Sequence, residues 1–321
     1  MYEIVFFLII SAFFVFVLWL LNRPVETESL CSRPGQSTDY STVVKTIERM
    51  VREQERDAAG HGRSLLLTHG QRTERVIVFF HGYTNCPRQF EMLSQRFFEM
   101  GFSVYAPRVP HHGLRDLMTG ETSQLTAEEL RRVCDSSVDL ASGLGDRVAV
   151  LGVSMGGVMA AWCAQFRDDV QQAALIAPSF GWHFLPGMIR PLINLTRIMP
   201  NILLWWDPIH RRKRDKPFSM YHRFSSRGMG QIMRLGLSVL EAAKKHPPAC
   251  RDVVMITNEM DIAVDDANIE KLTESWRSHG VHVLLHRFSK DLAMEHDIID
   301  PLHPYARPEQ VYDTILQLMR V

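Results

Sequence analysis

The sequence lacks a charge excess, paired cysteines and internal repeats, and these absences narrow the class of protein. Lys plus Arg and Asp plus Glu both number 36 in a chain of 321 residues, so the formal net charge is zero. The basic excess that is typical of nucleic-acid-binding proteins is therefore missing. The five cysteines are scattered and include no C-x-x-C pair, which argues against a disulfide framework and against a zinc site. The length suits one large α/β domain or two small ones.

Charged residues are also missing from positions 4–21, close to the start of the chain. Residues 4–21, "IVFFLIISAFFVFVLWLL", form an apolar run just long enough to cross a bilayer as a helix. A cleaved signal peptide is the alternative, but the start "MYE" has no basic region and no A-x-A-like cleavage site follows. We therefore expect residues 1–22 to be an uncleaved single-pass anchor.

Basic residues indicate the orientation of this anchor. Glu3 precedes the apolar run, and the positive residues follow it: Arg23, Arg33, Lys45, Arg49 and Arg52. The positive-inside rule then predicts that the main domain lies on the cytoplasmic side of the membrane.

The rest of the chain alternates between strand and helix patterns. Residues 23–40 are rich in Pro, Ser, Thr and charge and are predicted to be a linker, and residues 41–321 are predicted to form the main domain. Its strands read as continuous apolar runs such as "RVIVFF", "RVAVLGV" and "DVVMITN", as expected when helices cover both faces of a sheet. This pattern predicts an α/β fold with a mainly parallel sheet.

One insertion interrupts the alternation. About residues 180–250 contain apolar, helix-like pieces and no predicted strand. A structureless loop of that length is uncommon in a compact domain, so we expect a helical cap over one end of the sheet.

A single hydroxyl stands within the apolar stretch "RVAVLGVSMGGVMAAW". Ser154 follows a predicted strand, precedes a predicted helix, and has Gly152, Gly156 and Gly157 around it. The G-x-S-x-G pattern in this setting is typical of a nucleophile elbow, whose strained turn needs very small neighbours. A filler serine in a tight turn is the alternative interpretation.

A nucleophilic serine needs a base and an acid, in the chain order Ser, acid, His. Asp261 lies just beyond the strand "VVMITN" and is the preferred acid over its neighbours Glu259, Asp265 and Asp266. His296 follows the strand "VHVLLHRF" in a loop that can return to the sheet edge, and it is the preferred base. His303 is the alternative base.

A stabilised oxyanion needs two backbone N–H donors. Met155 follows the serine, and Tyr83 follows Gly82 in "FFHGYTNCP" directly after a strand, so their N–H groups are the predicted donors. The histidine that precedes Gly82 is expected to be a structural hydrogen bonder. His111 and His112 form no i, i+4 histidine pair, and we expect neither a metal nor a cofactor.

The motifs "HGYT", "GVSMGG", "NEMDIAV" and "EHDII", in this order, resemble the α/β-hydrolases, and within them the carboxylesterase and monoacylglycerol-lipase-like group. The resemblance covers about residues 64–321. It implies Ser154 as nucleophile, Asp261 as acid, His296 as base, and Tyr83 and Met155 as oxyanion donors. Two departures from the group are a histidine in place of the first glycine of a G-H-G turn, in "HHG", and Asn258 in place of a glycine.

These features together predict a serine hydrolase that cleaves carboxylic esters without a cofactor. The cap is apolar and aromatic, and with the membrane anchor it favours lipid-like acyl esters, although the same aromatic residues could form the cap's own core: Phe180, Trp182, Phe184, Leu203, Leu204, Trp205 and Trp206. The alternatives are a thioesterase or peptidase with the same triad, and a membrane-anchored interaction protein that has lost catalysis.

Overall fold

The computed structural model of the protein describes residues 2–36, 38–53, 55–206, 220–303 and 306–319. The α-helices are α1 Tyr2–Leu21, α2 Tyr40–Glu53, α3 Glu91–Glu99, α4 Ala127–Leu144, α5 Met155–Phe166, α6 Ile189–Ile198, α7 Ser226–Ala243, α8 Asp266–Ser278 and α9 Pro308–Leu318. The strands are β1 Leu65–Leu67, β2 Thr73–Phe80, β3 Ser103–Ala106, β4 Gly145–Val153, β5 Val170–Ile176, β6 Leu203–Trp205, β7 Arg223–Ser225, β8 Asp252–Asn258 and β9 His282–Phe288.

The central sheet has seven strands in the order β1-β3-β2-β4-β5-β8-β9. Strands β3, β2, β4, β5, β8 and β9 pair in parallel, and only the short edge strand β1 is antiparallel to its neighbour. The predicted parallel sheet is confirmed. Because parallel strands end at the same edge, the segments that follow β2, β4, β8 and β9 meet there.

Helix α5 lies in the centre of the core and is apolar on all sides. Its residues Met155–Gln165 are all buried, and Trp162 is among the largest fully buried side chains. A helix that is apolar all round needs cover on every side, and α5 packs against β4, β5, α4 and α7. This packing fixes the N-terminal end of α5, which directly follows Ser154.

The insertion of about residues 180–250 differs from the predicted helical cap in two ways. It contains α6 but also an antiparallel strand pair, β6 with β7, which the sequence did not predict. Helix α7 packs on α5, and a Cβ added to Gly236 on α7 would lie 2.7 Å from the ring of Phe180. The second half of the insertion is therefore part of the main core. Residues 207–219 of the insertion lie outside the described residues.

The segment predicted as a linker is bound to the domain. Residues 23–36, here called the strap, contain a short helical turn at Glu28–Leu30, and Leu30 is fully buried. The indole N–H of Trp162 donates to the carbonyl of Leu30 at 2.7 Å, and the hydroxyl of Ser32 donates to Asp135 at 2.7 Å. The polar composition predicted a linker, and within residues 23–36 the polar groups find partners on α4, so this part of the segment is packed on the domain.

Candidate active site

Ser154 occupies the turn between β4 and α5 in a strained conformation. Its φ of 59° and ψ of −113° lie outside the regions that an L-residue normally adopts. The turn is held from both sides, because the N–H of Ser154 donates to the carbonyl of Ile176 at 2.9 Å and its carbonyl accepts from Val158 at 3.1 Å. A strained serine held by the surrounding hydrogen bonds is the geometry that the G-x-S-x-G pattern predicted.

The glycines around Ser154 are required by close backbone contacts. A Cβ on Gly156 would lie 1.8 Å from the carbonyl oxygen of Phe80, and one on Gly152 would lie 2.0 Å from the carbonyl oxygen of Gly156. A Cβ on Gly157 would lie 2.9 Å from Cα of Pro178. The glycines thus allow α5 to approach the ends of β2 and β5, as predicted.

The structure brings Asp261 and His296 together across 35 residues of sequence. Nδ1 of His296 lies 2.7 Å from Oδ2 of Asp261, and both side chains are buried. The second carboxylate oxygen of Asp261 accepts the N–H of Ala263 at 2.8 Å, which orients the carboxylate in its turn. This is the acid–base arrangement that a serine nucleophile needs, although the catalytic roles themselves remain a prediction.

Charge pairing shifts the pKa of both groups. Burial by itself lowers the pKa of His296, but the charge and hydrogen bond of Asp261 outweigh it, so that the pKa of His296 is raised above its ordinary value. Burial by itself raises the pKa of Asp261, but the charge and hydrogen bond of His296 outweigh it and lower that pKa. Each group therefore favours the charged form of the other.

The other acids and the alternative base have different partners. Glu259 accepts the N–H of Lys290 at 3.0 Å, Asp265 caps α8 by accepting from Ala267 at 2.9 Å, and Asp266 pairs with Arg287 at 3.3 Å. His303 lies 3.9 Å from Glu295. Of the side chains weighed from sequence, the acid Asp261 is the one that contacts His296 at hydrogen-bond distance.

The predicted oxyanion donors lie on two segments near the serine. A Cβ built on Gly82 would lie 3.8 Å from Cβ of Ser154, so the loop after β2 passes beside the nucleophile. The N–H of Gly82 itself donates to Oε1 of Gln89 at 2.8 Å. In the parts of the chain that the structure describes, the backbone N–H groups of Tyr83 and Met155 donate to no protein acceptor, which suits them to a substrate oxygen.

Two buried histidines support the loop that carries Tyr83. Nδ1 of His81 donates to the carbonyl of Gly82 at 2.9 Å and its Nε2 accepts the N–H of Val109 at 3.1 Å, while burial lowers the pKa of His81 to about 3. His81 is therefore a neutral structural residue, as expected. His112 lies 2.8 Å from the carbonyl of Tyr83, so the "HHG" turn contacts the loop that carries Tyr83 despite its departure from G-H-G.

Asn258, which stands where the resemblance implies a glycine, has a structural role that sequence reasoning missed. Its side-chain amide donates to the carbonyls of Met294 at 2.7 Å and Glu295 at 2.9 Å. Its Oδ1 accepts the N–H of Met260 at 3.1 Å. Asn258 thereby connects the turn that carries Asp261 to the loop that carries His296.

A buried polar network beside His296 was also missed. Gln89 accepts from the N–H of Gly82 and donates from Nε2 to Asp297 at 2.8 Å, and Asn85 donates to Asp297 at 3.3 Å and to Asp300 at 3.1 Å. Asn85 and Gln89 follow β2, and Asp297 follows His296 directly. Polar residues shortly after a strand were therefore the sequence signal that could have predicted this network. The network joins the loop after β2, which carries Tyr83, to the loop that carries His296.

The cap contributes an aromatic wall to the site. The ring of Trp206 lies 5.5 Å, centroid to centroid, from the ring of His296, and Phe224 contacts both Trp206 and Tyr83. The aromatic residues that were predicted to line the cap differ in exposure: Phe180 is fully buried in the core, and Phe184 is 77% exposed. Among the described residues, no group of three or more His, Cys, Asp and Glu side chains has a metal-binding arrangement.

Known proteins support the interpretation of the fold. The family model "Serine aminopeptidase, S33" matches residues 71–227. A solved structure from work on LipS and LipT, described as two metagenome-derived lipolytic enzymes, gives a TM-score of 0.61 at 15% identity, covering 82% of this chain and 99% of that chain. Monoacylglycerol lipase from Paleococcus ferrophilus gives 0.59 at 19% identity, covering 80% and 98%. A soluble variant of monoglyceride lipase from Saccharomyces cerevisiae gives 0.57 at 14% identity, covering 80% and 90%. A comparison with curated protein sequences gives no significant match.

The chain therefore has the α/β-hydrolase fold. Within that superfamily it resembles the carboxylesterase and monoacylglycerol-lipase-like group, as the sequence motifs predicted. These likenesses support a hydrolase.

Proposed function

We propose that this protein is a membrane-anchored serine hydrolase that cleaves carboxylic esters with lipid-like acyl groups. The observation that carries the proposal is the buried 2.7 Å contact between His296 and Asp261, together with the strained Ser154 at the head of α5. A histidine with a purely structural role would not need a strained serine at the same edge of the sheet, whereas a catalytic histidine would. The combination supports catalysis.

The mechanism begins with the transfer of a proton. Because Nδ1 of His296 donates to Asp261, Nε2 is the basic nitrogen of the ring. Nε2 takes the hydroxyl proton of Ser154 as the serine oxygen attacks the ester carbonyl, and it gives this proton to the departing alcohol. The resulting acyl-enzyme is then hydrolysed by a water molecule that His296 activates in the same way, which regenerates Ser154.

Backbone groups stabilise the charge that develops on the carbonyl oxygen. The N–H groups of Tyr83 and Met155 bind this oxygen, and the N-terminal end of α5 adds its partial positive charge. The hydrogen bond of Gly82 to Gln89 at 2.8 Å holds the preceding peptide in place, so the Tyr83 donor needs little reorganisation. No cofactor takes part in this mechanism.

The substrate class follows from the surroundings of the site. Trp206 and Phe224 give the side of the site next to His296 an aromatic wall, which suits an acyl chain better than a charged group. The apolar helix α1 would keep the enzyme at a membrane, where long-chain esters concentrate. Both features favour lipid-like esters over small polar ones.

Chemical labelling and ester hydrolysis test the proposal. The full-length protein in detergent should react with a fluorophosphonate and hydrolyse p-nitrophenyl esters, with the rate depending on acyl length. Ser154→Ala should abolish the labelling, and Ser154→Ala or His296→Ala should each lower kcat by about 10⁴-fold. Wild-type protein that is folded but inert to every ester and to the fluorophosphonate would instead favour the anchored interaction protein.

A peptidase is the second candidate, because the family model that matches residues 71–227 is a serine aminopeptidase model. The same triad can cleave an amide, so the leaving group distinguishes the two activities. Hydrolysis of aminoacyl p-nitroanilides with a higher kcat/KM than that for matched p-nitrophenyl esters would favour the peptidase, as would faster turnover of thioesters for a thioesterase.

The membrane arrangement is part of the proposal. Helix α1 has 20 residues, a mean hydropathy of 3.1 over its best window, and no buried residue, so it has the length and composition of a membrane span. We propose an uncleaved anchor with the hydrolase domain on the cytoplasmic side, because the basic residues follow the span. Protease protection of the domain in sealed right-side-out vesicles, together with an intact N-terminus by mass spectrometry, is the expected result.

A further inference from the structure

Helix α1 is fixed to the cap at its C-terminal end. Nδ2 of Asn194 on α6 donates to the carbonyls of Leu21 and Arg23, both at 2.9 Å. The last carbonyls of a helix lack intrahelical partners, so the amide caps the end of α1. Asn194 is buried by these contacts, which place the middle of α6 beside the end of the candidate membrane span.

The strap (residues 23–36) keeps this arrangement rigid. Arg234 on α7 pairs with the carboxylate of Glu26 and donates from Nε to its carbonyl at 2.8 Å. Thr27 donates to Glu241 at 2.9 Å, and Gly35 donates to Asp139 at 2.8 Å. With both the strap and Asn194 in place, α1 leaves the domain in one defined direction.

Helix α6 has two apolar faces, and only one of them is covered by protein. Ile189, Leu192 and Ile193 are buried against the core. The outer face of α6 and its continuation is exposed and apolar as well, with exposed fractions of 42%, 55%, 47% and 49% for Leu195, Ile198, Met199 and Ile202. The positions 195, 198 and 199 have the i, i+3, i+4 spacing of one helical stripe, so they form a continuous surface.

The depth of this surface follows from the length of α1. A helix of 20 residues is about 30 Å long, which matches the hydrocarbon thickness of a bilayer, so its last carbonyl lies near the membrane boundary. The guanidinium of Arg23 stacks over the ring of Trp19 at 4.7 Å, and Trp and Arg are the residues that commonly mark this boundary. Asn194 therefore lies at the same depth as the boundary.

We propose that the outer face of α6, defined by Leu195, Ile198, Met199 and Ile202, inserts into the lipid of the leaflet from which α1 emerges. This inference rests on the proposed membrane anchor. Lipid is the occupant that the structure favours, because these four side chains are apolar and exposed and Asn194 fixes α6 to the end of the span. A second copy of the chain is the alternative that the experiment must exclude.

The position of the face also indicates how an ester reaches the site. Ile202 is followed by β6, and Trp206, four residues further on, contacts the ring of His296. Four residues span at most about 14 Å, so lipid held at the outer face is close to the aromatic wall of the site. The enzyme then takes its ester directly from the bilayer.

The experiment uses full-length protein in phosphatidylcholine vesicles with and without doxyl-labelled phosphatidylcholine. Cys31 is exposed and is replaced by Ser, whereas Cys86, Cys134, Cys163 and Cys250 are buried and are retained. An NBD fluorophore is attached at Ile198→Cys, at Phe13→Cys as the reference within the span, or at Met92→Cys on α3, where the native side chain is 51% exposed.

We expect the fluorophore at position 198 to be blue-shifted and quenched by doxyl lipid, as at position 13, and the fluorophore at position 92 to be neither. Quenching at position 13 with none at position 198 would overturn the inference while the anchor stands. An absence of quenching at position 13 would remove the anchor itself. A blue shift at position 198 that depends on protein density, with no doxyl quenching, would assign the face to a second copy and also overturn the inference.

A functional measurement supplements the spectroscopy. The triple variant Leu195→Ser, Ile198→Ser, Met199→Ser should hydrolyse a long-chain ester in vesicles severalfold more slowly, with unchanged kcat/KM for soluble p-nitrophenyl acetate. Equal rates on the vesicle ester would count against delivery from the bilayer. Loss of both activities at once would instead indicate damage to the proposed catalytic function or to folding, which the melting temperature would distinguish.

Discussion

The substitution Gly156→Ala tests the strained turn with a single methyl group. An added Cβ at this position would lie 1.8 Å from the carbonyl oxygen of Phe80, 2.4 Å from its carbonyl carbon and 2.9 Å from the carbonyl oxygen of His81. All three atoms are backbone at the end of β2, so no side chain can rotate away. An ordinary contact begins at 3.4 Å, so either α5 or the end of β2 must move by roughly 1.5 Å or more.

The expected loss has a stability part and an activity part. Overpacking of a rigid core costs about 1–3 kcal/mol, and a clash between two backbone segments belongs at the upper end of this range. For a domain of this size about 3 kcal/mol lowers the melting temperature by roughly 5 °C. A displacement of about 1 Å between Ser154 and the oxyanion donors lowers kcat by about 10²-fold.

Thermal unfolding and p-nitrophenyl ester hydrolysis below the melting temperature give the two values. Gly60→Ala is the matched control, because a Cβ there meets no atom within 4 Å, and it should change the stability by less than about 0.5 kcal/mol. Gly156→Ala with the stability and kcat of the wild type would refute the reasoning, because the turn would then tolerate a Cβ.

Three further substitutions separate the roles of neighbouring groups. Asp261→Asn removes the charge that raises the pKa of His296, so the acidic limb of the pH–rate profile should move to lower pH while kcat falls by about 10⁴-fold; an unmoved limb would contradict the pairing. Gln89→Leu leaves the Gly82 N–H without its acceptor and should lower kcat by about tenfold with KM nearly unchanged, whereas an equal rise in KM would argue against a positioning role. Tyr83→Phe should cost about 1 kcal/mol in urea unfolding yet keep kcat within a few fold, because the donor proposed for Tyr83 is its backbone N–H; a large loss of kcat would assign a role to the hydroxyl.

Features that depend on interactions between neighbouring residues could be predicted from the sequence, and features that depend on distant partners could not. The elbow was predictable because its cause is local: a strand, a serine between small residues and a helix follow one another directly, and the glycines meet backbone that is always present in this turn. The parallel sheet was predictable because continuous apolar runs are characteristic of strands covered on both faces. The pairing of Asp261 with His296 was predictable, because both residues follow strands that end at one edge of the sheet.

Other features depend on partners far away in sequence. Composition predicted a linker for residues 23–40, because Pro, Ser, Thr and charge are typical of loops. It did not predict that the carboxylates of Asp135 and Asp139 accept hydrogen bonds from this segment or that Leu30 is buried. The β6–β7 pair was missed, because three-residue strands carry too little periodicity to be recognised.

The sequence by itself determined the strands of the parallel sheet, the apolar N-terminal helix and the serine turn, because each depends on neighbouring residues. Only the tertiary structure decided that Asn258 connects the acid turn to the histidine loop and that Asn194 caps α1. A side-chain amide has the same appearance in sequence whether it faces solvent or a carbonyl 36 or 173 residues away. Its role follows from the fold that brings a partner within hydrogen-bonding distance.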